Sequence, residues 1–436
     1  MREVNLSEIK QAHFFGVGGI GLSAIARMFL AEGKRVSGSD VAGSALIDDL
    51  RKLGAAFTAG QDVSDIPTGT DLVVYSTAIE VADPAFHKKL RTSSIPAISY
   101  AEALSLVSKD KFTIAVSGTH GKTTTTAMTA KILMDAGMDP TVIIGSLLKE
   151  TNSNFVAGKS RYLVVEVDEY QRKFLEVTPR ILVITNIDED HLDYFRDIGD
   201  IQEAFAALVA RVPEDGAIVT NLSLQNVTPV LSAARASVLD YGSLLLKDLR
   251  LKFPGEHNRQ NARAALTVAA FLGVPQEQAL HSLSEFSGTW RRFEYLGKTK
   301  NGALVYDDYA HNPQKVAALL SGAREMFPKN RIVAVFQPHL YSRTKTLFDD
   351  FASSFNDADE IMLLPIFAAR ERFDGSINSE QLAEAIQKGY QNKKVKTFKS
   401  FEEIAASLKE ASKDTVIFTI GAGDIYKLAG PLIGAI

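Results

Sequence analysis

The segment KFTIAVSGTHGKTTTTAMTAKILMDAG (111–137) constrains the fold more than any other stretch of the chain. An apolar run of buried-strand type enters a glycine turn and leaves as a helix-forming stretch. The N-terminus of a helix carries unpaired N–H groups and the positive end of the dipole, so it attracts phosphate. Glycines let the backbone wrap the phosphates, a lysine adds a point charge, and the next hydroxyl can ligate Mg2+. GTHGKTT supplies these in order, although Val116 stands where the usual pattern has its first glycine. Gly118 comes two residues later and makes a shorter loop. The alternative is a structural turn with a chance lysine. The full order of parts favours a loop for ATP or another nucleoside triphosphate, built from Gly118, Thr119, His120, Gly121, Lys122, Thr123 and Thr124. Lys122 is expected to reach the terminal phosphates and Thr123 the Mg2+.

Short apolar strands alternate with amphipathic helices along the whole chain, which predicts an α/β architecture with mostly parallel sheets. A chain of 436 residues exceeds one compact core. Three blocks are expected, 1–108, 109–290 and 291–436. The first holds AHFFGVGGIG, KRVSGSD and DLVVYSTAI. The second holds KFTIAVSG, YLVVEVDE (162–169) and RILVITNIDEDH (180–191). The third holds ALVYDDYAH, RIVAVFQPH, EIMLLPI and TVIFTIGAGD. With 48 basic against 52 acidic residues, the chain lacks the basic excess of a nucleic-acid binder. It has no cysteine, which excludes disulfides, thiolate metal ligands and a cysteine nucleophile. No 18-residue apolar stretch is present and the N-terminus is polar, so no membrane association and a cytoplasmic location are expected.

Two of the strands in the second block run into carboxylates. Glu166 is the leading candidate for Mg2+, with Asp168 and Glu169 as rivals, because successive strand residues face opposite sides. Mn2+ is an alternative ion. His191 ends the other such segment and joins the candidate metal and catalytic residues. Ligands of α/β sheets gather beyond the carboxyl ends of the strands, where all of these lie.

A second glycine loop, GVGGIG (16–21), sits between a strand and a helix. Gly16, Gly18, Gly19 and Gly21 form it, and Asp40 ends the next strand, as in a dinucleotide fold. By itself the pattern reads as NAD and an oxidoreductase. The same geometry cradles any diphosphate, including that of a UDP-sugar. A P-loop regulator that hydrolyses ATP without a sugar substrate is a further alternative.

With its other motifs the chain resembles the Mur ligases, the ATP-dependent amide-bond formers of peptidoglycan synthesis. The resemblance runs through GVGGIGLSAIA (16–26), STAI (76–79), GTHGKTTT (118–125), TN (151–152), EVDE (166–169) and TNIDEDHLD (185–193). It continues in PGEHNRQNARAA (254–265), WRRFE (290–294), DDYAHNP (307–313), FQPHLYSRT (336–344) and GAGDI (421–425). It implies an N-terminal Rossmann-like domain for the UDP-sugar, a central P-loop ATPase-like domain and a C-terminal Rossmann-like domain for the amino acid. It places His257 and Asn258 beside ATP, Asn261 more loosely, and Arg292 at a hinge near phosphate. Both asparagines could instead cap a helix. Ser76 and Thr77 would contact the UDP-sugar, and Tyr309, His311 and Arg343 the amino acid.

PHLYSRT and GAGDI favour the branch that joins L-alanine to UDP-N-acetylmuramate; attachment of a recycled tripeptide to the same sugar is the alternative. Folylpolyglutamate-type synthetases share the phosphate loop but lack the UDP-sugar domain. Two positions depart from the alanine-site pattern: Asn312 replaces a common histidine, and Leu340 a frequent arginine. The resemblance implies reaction through an acyl phosphate, with Lys122, Glu166, His191 and His311 as catalytic residues and the third domain closing over the others. The base is His191, His311 or a metal-linked water, and the enzyme a monomer or homodimer.

Overall fold

The computed structural model describes residues 4–191, 194–245, 249–369, 371–373 and 375–434. Leu192 and Asp193, the last two residues of TNIDEDHLD, therefore lie outside the described residues. The chain divides into two compact units, Met1–Arg250 with Gln260–Ser287, and Leu251–Arg259 with Gly288–Ile436.

The first unit holds two sheets. One is formed by β1 (Gln11–Phe15), β2 (Arg35–Asp40), β3 (Ala56–Ala59), β4 (Leu72–Tyr75) and β5 (Ala97–Ser99), all parallel, in the order β3-β2-β1-β4-β5. The other comprises β6 (Phe112–Ser117), β7 (Thr141–Leu148), β8 (Ser153–Val156), β9 (Tyr162–Glu166), β10 (Ile181–Ile184), β11 (Ala217–Thr220) and β12 (Ser237–Asp240). Its order is β12-β11-β10-β6-β9-β7-β8, and only the β7–β8 pairing is antiparallel. The apolar runs become central strands because both faces are covered, as parallel sheets with helical crossovers require. Every residue of β1, β4 and β10 is buried.

Asn154 on β8 ties the two sheets together. It is fully buried, and its Nδ2 donates to the Ile20 carbonyl at 2.5 Å and to Ser23 Oγ at 2.8 Å, both in the first turn of the helix Ile20–Ala31.

The second unit is built on β13 (Glu294–Lys298), β14 (Leu304–Asp308), β15 (Arg331–Phe336), β16 (Glu360–Leu363), β17 (Lys394–Thr397) and β18 (Thr415–Ile420). Their order is β13-β14-β18-β15-β16-β17, parallel except for the edge strand β13. Phe336, Phe351, Phe355 and Phe418 pack in its core, all fully buried.

The architecture is the three-sheet α/β fold expected from the alternation. The apolar segments end sooner than their sequence suggests. β9 stops at Glu166, and β10 at Ile184, leaving 167–169 and 185–191 as loops. Those loops are used to build the site. Among the described residues, no helix is long and apolar enough to cross a membrane.

Candidate active site

β6 ends at Ser117, and the helix Lys122–Asp135 begins after a four-residue turn. The turn between them is held by the loop after β10. Asn186 Oδ1 accepts from His120 N at 2.8 Å and Asn186 O from Thr119 N at 3.2 Å. Thr185 Oγ1 donates to the His120 carbonyl at 2.5 Å, and Thr119 Oγ1 accepts from Asp188 N at 2.9 Å. Gly118 has φ +128°, and a Cβ there would lie 2.2 Å from Thr185 Oγ1. Only glycine fits, by conformation and by space.

Lys122 is buried and folded back into this turn. Its Nζ donates to the Gly118 carbonyl at 2.6 Å and to Glu169 Oε2 at 2.8 Å, with Asp168 at 3.4 Å. Burial opposes the charge, but Glu169, Asp168 and Glu166 outweigh it and hold the lysine pKa above its ordinary value. Glu169, a rival for the metal from its position in EVDE, is instead the lysine's partner, and its Oε1 is buried with no hydrogen bond. Asp168 stands between Lys122 and His191, whose Nε2 is 3.9 Å from Asp168 Oδ1. His191 has φ +55°, and its ring lies 4.8 Å from that of Tyr170.

Thr123 and Glu166 meet: Thr123 Oγ1 donates to Glu166 Oε1 at 2.9 Å, and Glu166 Oε2 accepts from Gly145 N at 2.8 Å. A hydroxyl beside a carboxylate is a hard-oxygen donor pair that suits Mg2+, which takes one or two protein carboxylates and draws its other ligands from phosphate and water. His191 makes its contact with Asp168 and none described with Glu166. Among the described residues, no group of three or more histidine and acidic side chains converges as a metal site. Thr124 occupies the same first helical turn, whose N–H groups have no intrahelical acceptor.

The helix Glu256–Phe271 carries the PGEHNRQNARAA motif, and both candidate caps lie inside it. Asn258 is therefore no N-cap; its Nδ2 donates back to the Pro254 carbonyl at 2.7 Å. Asn261 accepts from Thr125 Oγ1 at 3.2 Å through Oδ1, the atom that also crowds Gly121. Asn261 thus touches the phosphate loop directly. His257 and Asn258 cluster with the second unit. Burial leads in lowering the His257 pKa, and nearby Asp308 opposes it.

The first glycine loop starts after β1. Gly19, at the N-cap of the helix Ile20–Ala31, has no side chain to accept from the helix's first N–H groups. Ser76 N donates to the Phe15 carbonyl at 2.9 Å, which sets Ser76 beside Gly16. Thr77 precedes the short helix Ala78–Ala82 and does not cap it. Asp40 Oδ2 accepts from Gly18 N at 2.9 Å. The carboxylate that would read a ribose in a dinucleotide fold is engaged in bracing the loop itself.

In the second unit, the segments after β14 and β15 contribute to one cluster. His311 Nδ1 is 2.9 Å from the Tyr309 carbonyl, and the Arg292 guanidinium lies over the Tyr309 ring at 5.1 Å. Burial, followed by the cations Lys315, Arg343 and Arg292, pushes the His311 pKa well below the ordinary histidine value. Arg343 Nη1 is 3.3 Å from His339 Nδ1. Tyr309, His311 and Arg343 are therefore brought together, with Arg292 joining them.

The first departure from the motif has a local structural reason, and nothing in the structure explains the second. Asn312 is the N-cap of the helix Pro313–Met326 and accepts from Lys315 N at 2.9 Å. Leu340 is buried at φ +70°, ψ 132°, a strained conformation for a side chain with a Cβ. Its carbonyl accepts from Thr344 Oγ1 at 2.8 Å.

Sequence reasoning passed over Arg291 in favour of its neighbour. Arg291, at φ +58°, is buried; its Nε donates to Asp307 at 2.7 Å, and its Nη atoms to the Gly423 and Gly421 carbonyls at 3.0 and 2.5 Å. It locks the GAGDI turn to β14. Nothing in WRRFE distinguishes the inward arginine from the outward one, because the choice depends on the distant partners Asp307, Gly421 and Gly423.

Three family models match the chain: residues 11–112 the one described as Mur ligase family, catalytic domain; 116–244 the Mur ligase middle domain; and 291–423 the Mur ligase, glutamate ligase domain. A UDP-N-acetylmuramate–L-alanine ligase of Clostridium acetobutylicum is 40% identical over 447 residues, covering 96% of both chains. The crystal structure of a UDP-N-acetylmuramate–alanine ligase from Thermotoga maritima superposes with a TM-score of 0.81 at 27% identity, covering 97% of this chain and 98% of that one. A murein peptide ligase from Psychrobacter arcticus shares the fold, with a TM-score of 0.73 at 24% identity over 98% of this chain and 99% of its own.

Proposed function

The chain belongs to the Mur ligase family, and on that premise we propose that it forms the amide bond between L-alanine and the carboxylate of UDP-N-acetylmuramate at the expense of ATP. The observation that carries this reading is the 40% identity to an L-alanine-adding ligase over 96% of the chain, a match that spans all three sheets. The product is a cytoplasmic precursor of peptidoglycan.

A carboxylate does not condense with an amine in water, because an oxide is a poor leaving group. Activation transfers the γ-phosphoryl of ATP. A bond forms between a muramoyl carboxylate oxygen and phosphorus, the bond to the bridging oxygen breaks, and ADP departs. The amine of L-alanine then adds to the activated carbonyl carbon, and phosphate leaves with the electron pair of the C–O bond.

In the first step the protein aligns and neutralises charge. The first-turn N–H groups of Lys122, Thr123 and Thr124 face the phosphates. Lys122, already charged, exchanges its carboxylate partners for phosphoryl oxygens. Thr123 and Glu166 would hold Mg2+, which when bound offsets the negative charge of the phosphates. The loop Gly16–Gly21, with Ser76 and Thr77, receives the UDP diphosphate. His257, Asn258 and Arg292 are assigned to ATP from their places in the family motifs.

The second step needs a neutral amine. The carboxylate of the amino acid pairs with Arg343, and Tyr309 forms a wall of its site. His311 is neutral, and its Nδ1 proton is directed at the Tyr309 carbonyl, leaving Nε2 free to accept from the amine. Its depressed basicity suits it to orienting the amine. We assign the amine proton to His191, which lies beside Asp168.

Phosphate release from ATP and Mg2+ tests the reading. UDP-N-acetylmuramate is supplied with L-alanine, L-serine, glycine or L-alanyl-γ-D-glutamyl-diaminopimelate in separate reactions. Release stimulated by L-alanine is expected. Release with the tripeptide alone would overturn the alanine assignment, and release independent of the sugar would overturn the role of Gly16–Gly21.

A further inference from the structure

Tyr100 belongs to none of the motifs above, yet its ring stands against the first glycine loop. It is the first residue of the helix Tyr100–Ser108, and a reciprocal capping box fixes its direction. Glu102 N donates to Ser99 Oγ at 3.2 Å, and Ser99 N to Glu102 Oε2 at 2.6 Å. The ring is thereby laid against Gly21. A Cβ at Gly21 would lie 2.9 Å from Tyr100 Cζ and 3.1 and 3.2 Å from the two Cε atoms. The hydroxyl-bearing end of the ring, not its root, abuts the diphosphate loop, so Gly21 is a glycine because Tyr100 occupies the space. The same phenol lies within electrostatic reach of Glu166 and Asp168, and burial leads these two in pushing its pKa well above the ordinary value. It is a neutral hydroxyl that keeps its proton.

The muramoyl carboxylate has to travel from the sugar held at Gly16–Gly21 to the phosphoryl group at Lys122 and Thr123. Tyr100 lies against the first loop and within electrostatic reach of Glu166 and Asp168 beside the second. A neutral donor at this corner can hold the carboxylate without adding charge. We propose that Tyr100 is a substrate-positioning residue whose hydroxyl donates a hydrogen bond to the muramoyl carboxylate and directs it toward the phosphoryl group to be transferred. The phenol keeps its proton throughout, so no further reactant is required. This inference rests on the ligase reading given above.

Tyr100→Phe removes the hydroxyl and leaves the ring against Gly21, so it separates positioning from packing. Initial rates of phosphate release are measured for the parent and the variant at varied UDP-N-acetylmuramate and at varied ATP, together with the thermal midpoint of each. The expected result is a fall in kcat/KM for UDP-N-acetylmuramate of about tenfold or more, the scale of one hydrogen bond to a charged group. KM for ATP and the thermal midpoint stay unchanged. Unaltered kcat and KM for the sugar would overturn the proposal. A loss shared by ATP and matched by a lower midpoint would overturn it too, by making the hydroxyl structural. Turnover by the parent enzyme is read first, and it tests the ligase reading independently of the variant.

Discussion

Thr123 donates its hydroxyl proton to Glu166 across 2.9 Å, joining the first turn of the phosphate-loop helix to the end of β9. The two residues are 43 apart in sequence, and they meet because β6 and β9 are adjacent parallel strands, with Val116 paired to Glu166. The pair places a hydroxyl and a carboxylate oxygen, the donors proposed for Mg2+, at the carboxyl edge of the sheet.

Glu166→Gln tests that pair. It keeps the shape and an oxygen acceptor but removes the charge. The Mg2+ concentration for half-maximal turnover should rise roughly tenfold or more, the scale on which such sites respond to altered ligands. A magnesium titration of phosphate release measures this, and an unchanged midpoint would remove Glu166 from the metal.

Lys122→Ala should reduce ligase turnover by about two to three orders of magnitude, the usual cost of deleting a donor aimed at developing charge. The substitution also strips buried Glu169 of its cation, so thermal stability should fall as well. Full turnover in the variant would refute the triphosphate-loop assignment.

Arg291→Ala should destabilise the second unit by about 3–5 kcal/mol, because it leaves buried Asp307 without its partner. The only tryptophan, Trp290, lies beside it and reports the event. Urea unfolding followed by tryptophan fluorescence should show the loss, and an unshifted midpoint would contradict it.

His13 gives stability a pH dependence. Burial, opposed by Asp65, lowers its pKa from 6.5 to about 4, and the ring is held by Ser37 Oγ at 2.9 Å. The unfolded chain therefore binds the proton more readily. The contribution of His13 is complete above the unfolded pKa of 6.5 and is lost as pH falls from there toward about 4, where the loss levels off. The full span is about 3 kcal/mol. His13→Gln should flatten the unfolding free energy against pH across this window, and an unchanged slope would show that His13 does not set it.

Local residue patterns alone specified the strands, the two glycine loops and the lysine and threonine of the phosphate loop. Each depends on a few adjacent positions: apolar runs that must be covered on both faces, and glycines that must turn between strand and helix. Tyr309, His311 and Arg343 came from family motifs, and the fold gathers them. What only the tertiary structure decided is pairing across sequence distance. Asp168, Glu169 and Glu166 are neighbours in EVDE, and no local rule says that Glu169 takes the lysine while Glu166 takes the threonine. The strand ends at Glu166, and the loop beyond it turns Glu169 inward. Asn258 and Asn261 are equivalent as caps by local pattern, and the helix start at Glu256 places both inside, with Asn261 alone reaching the loop. The choice of Arg291 over Arg292 follows likewise from a positive φ and the packing of distant elements, and the approach of Tyr100 to Gly21 from packing alone. Such choices depend on which surfaces come together, and only the folded chain determines that.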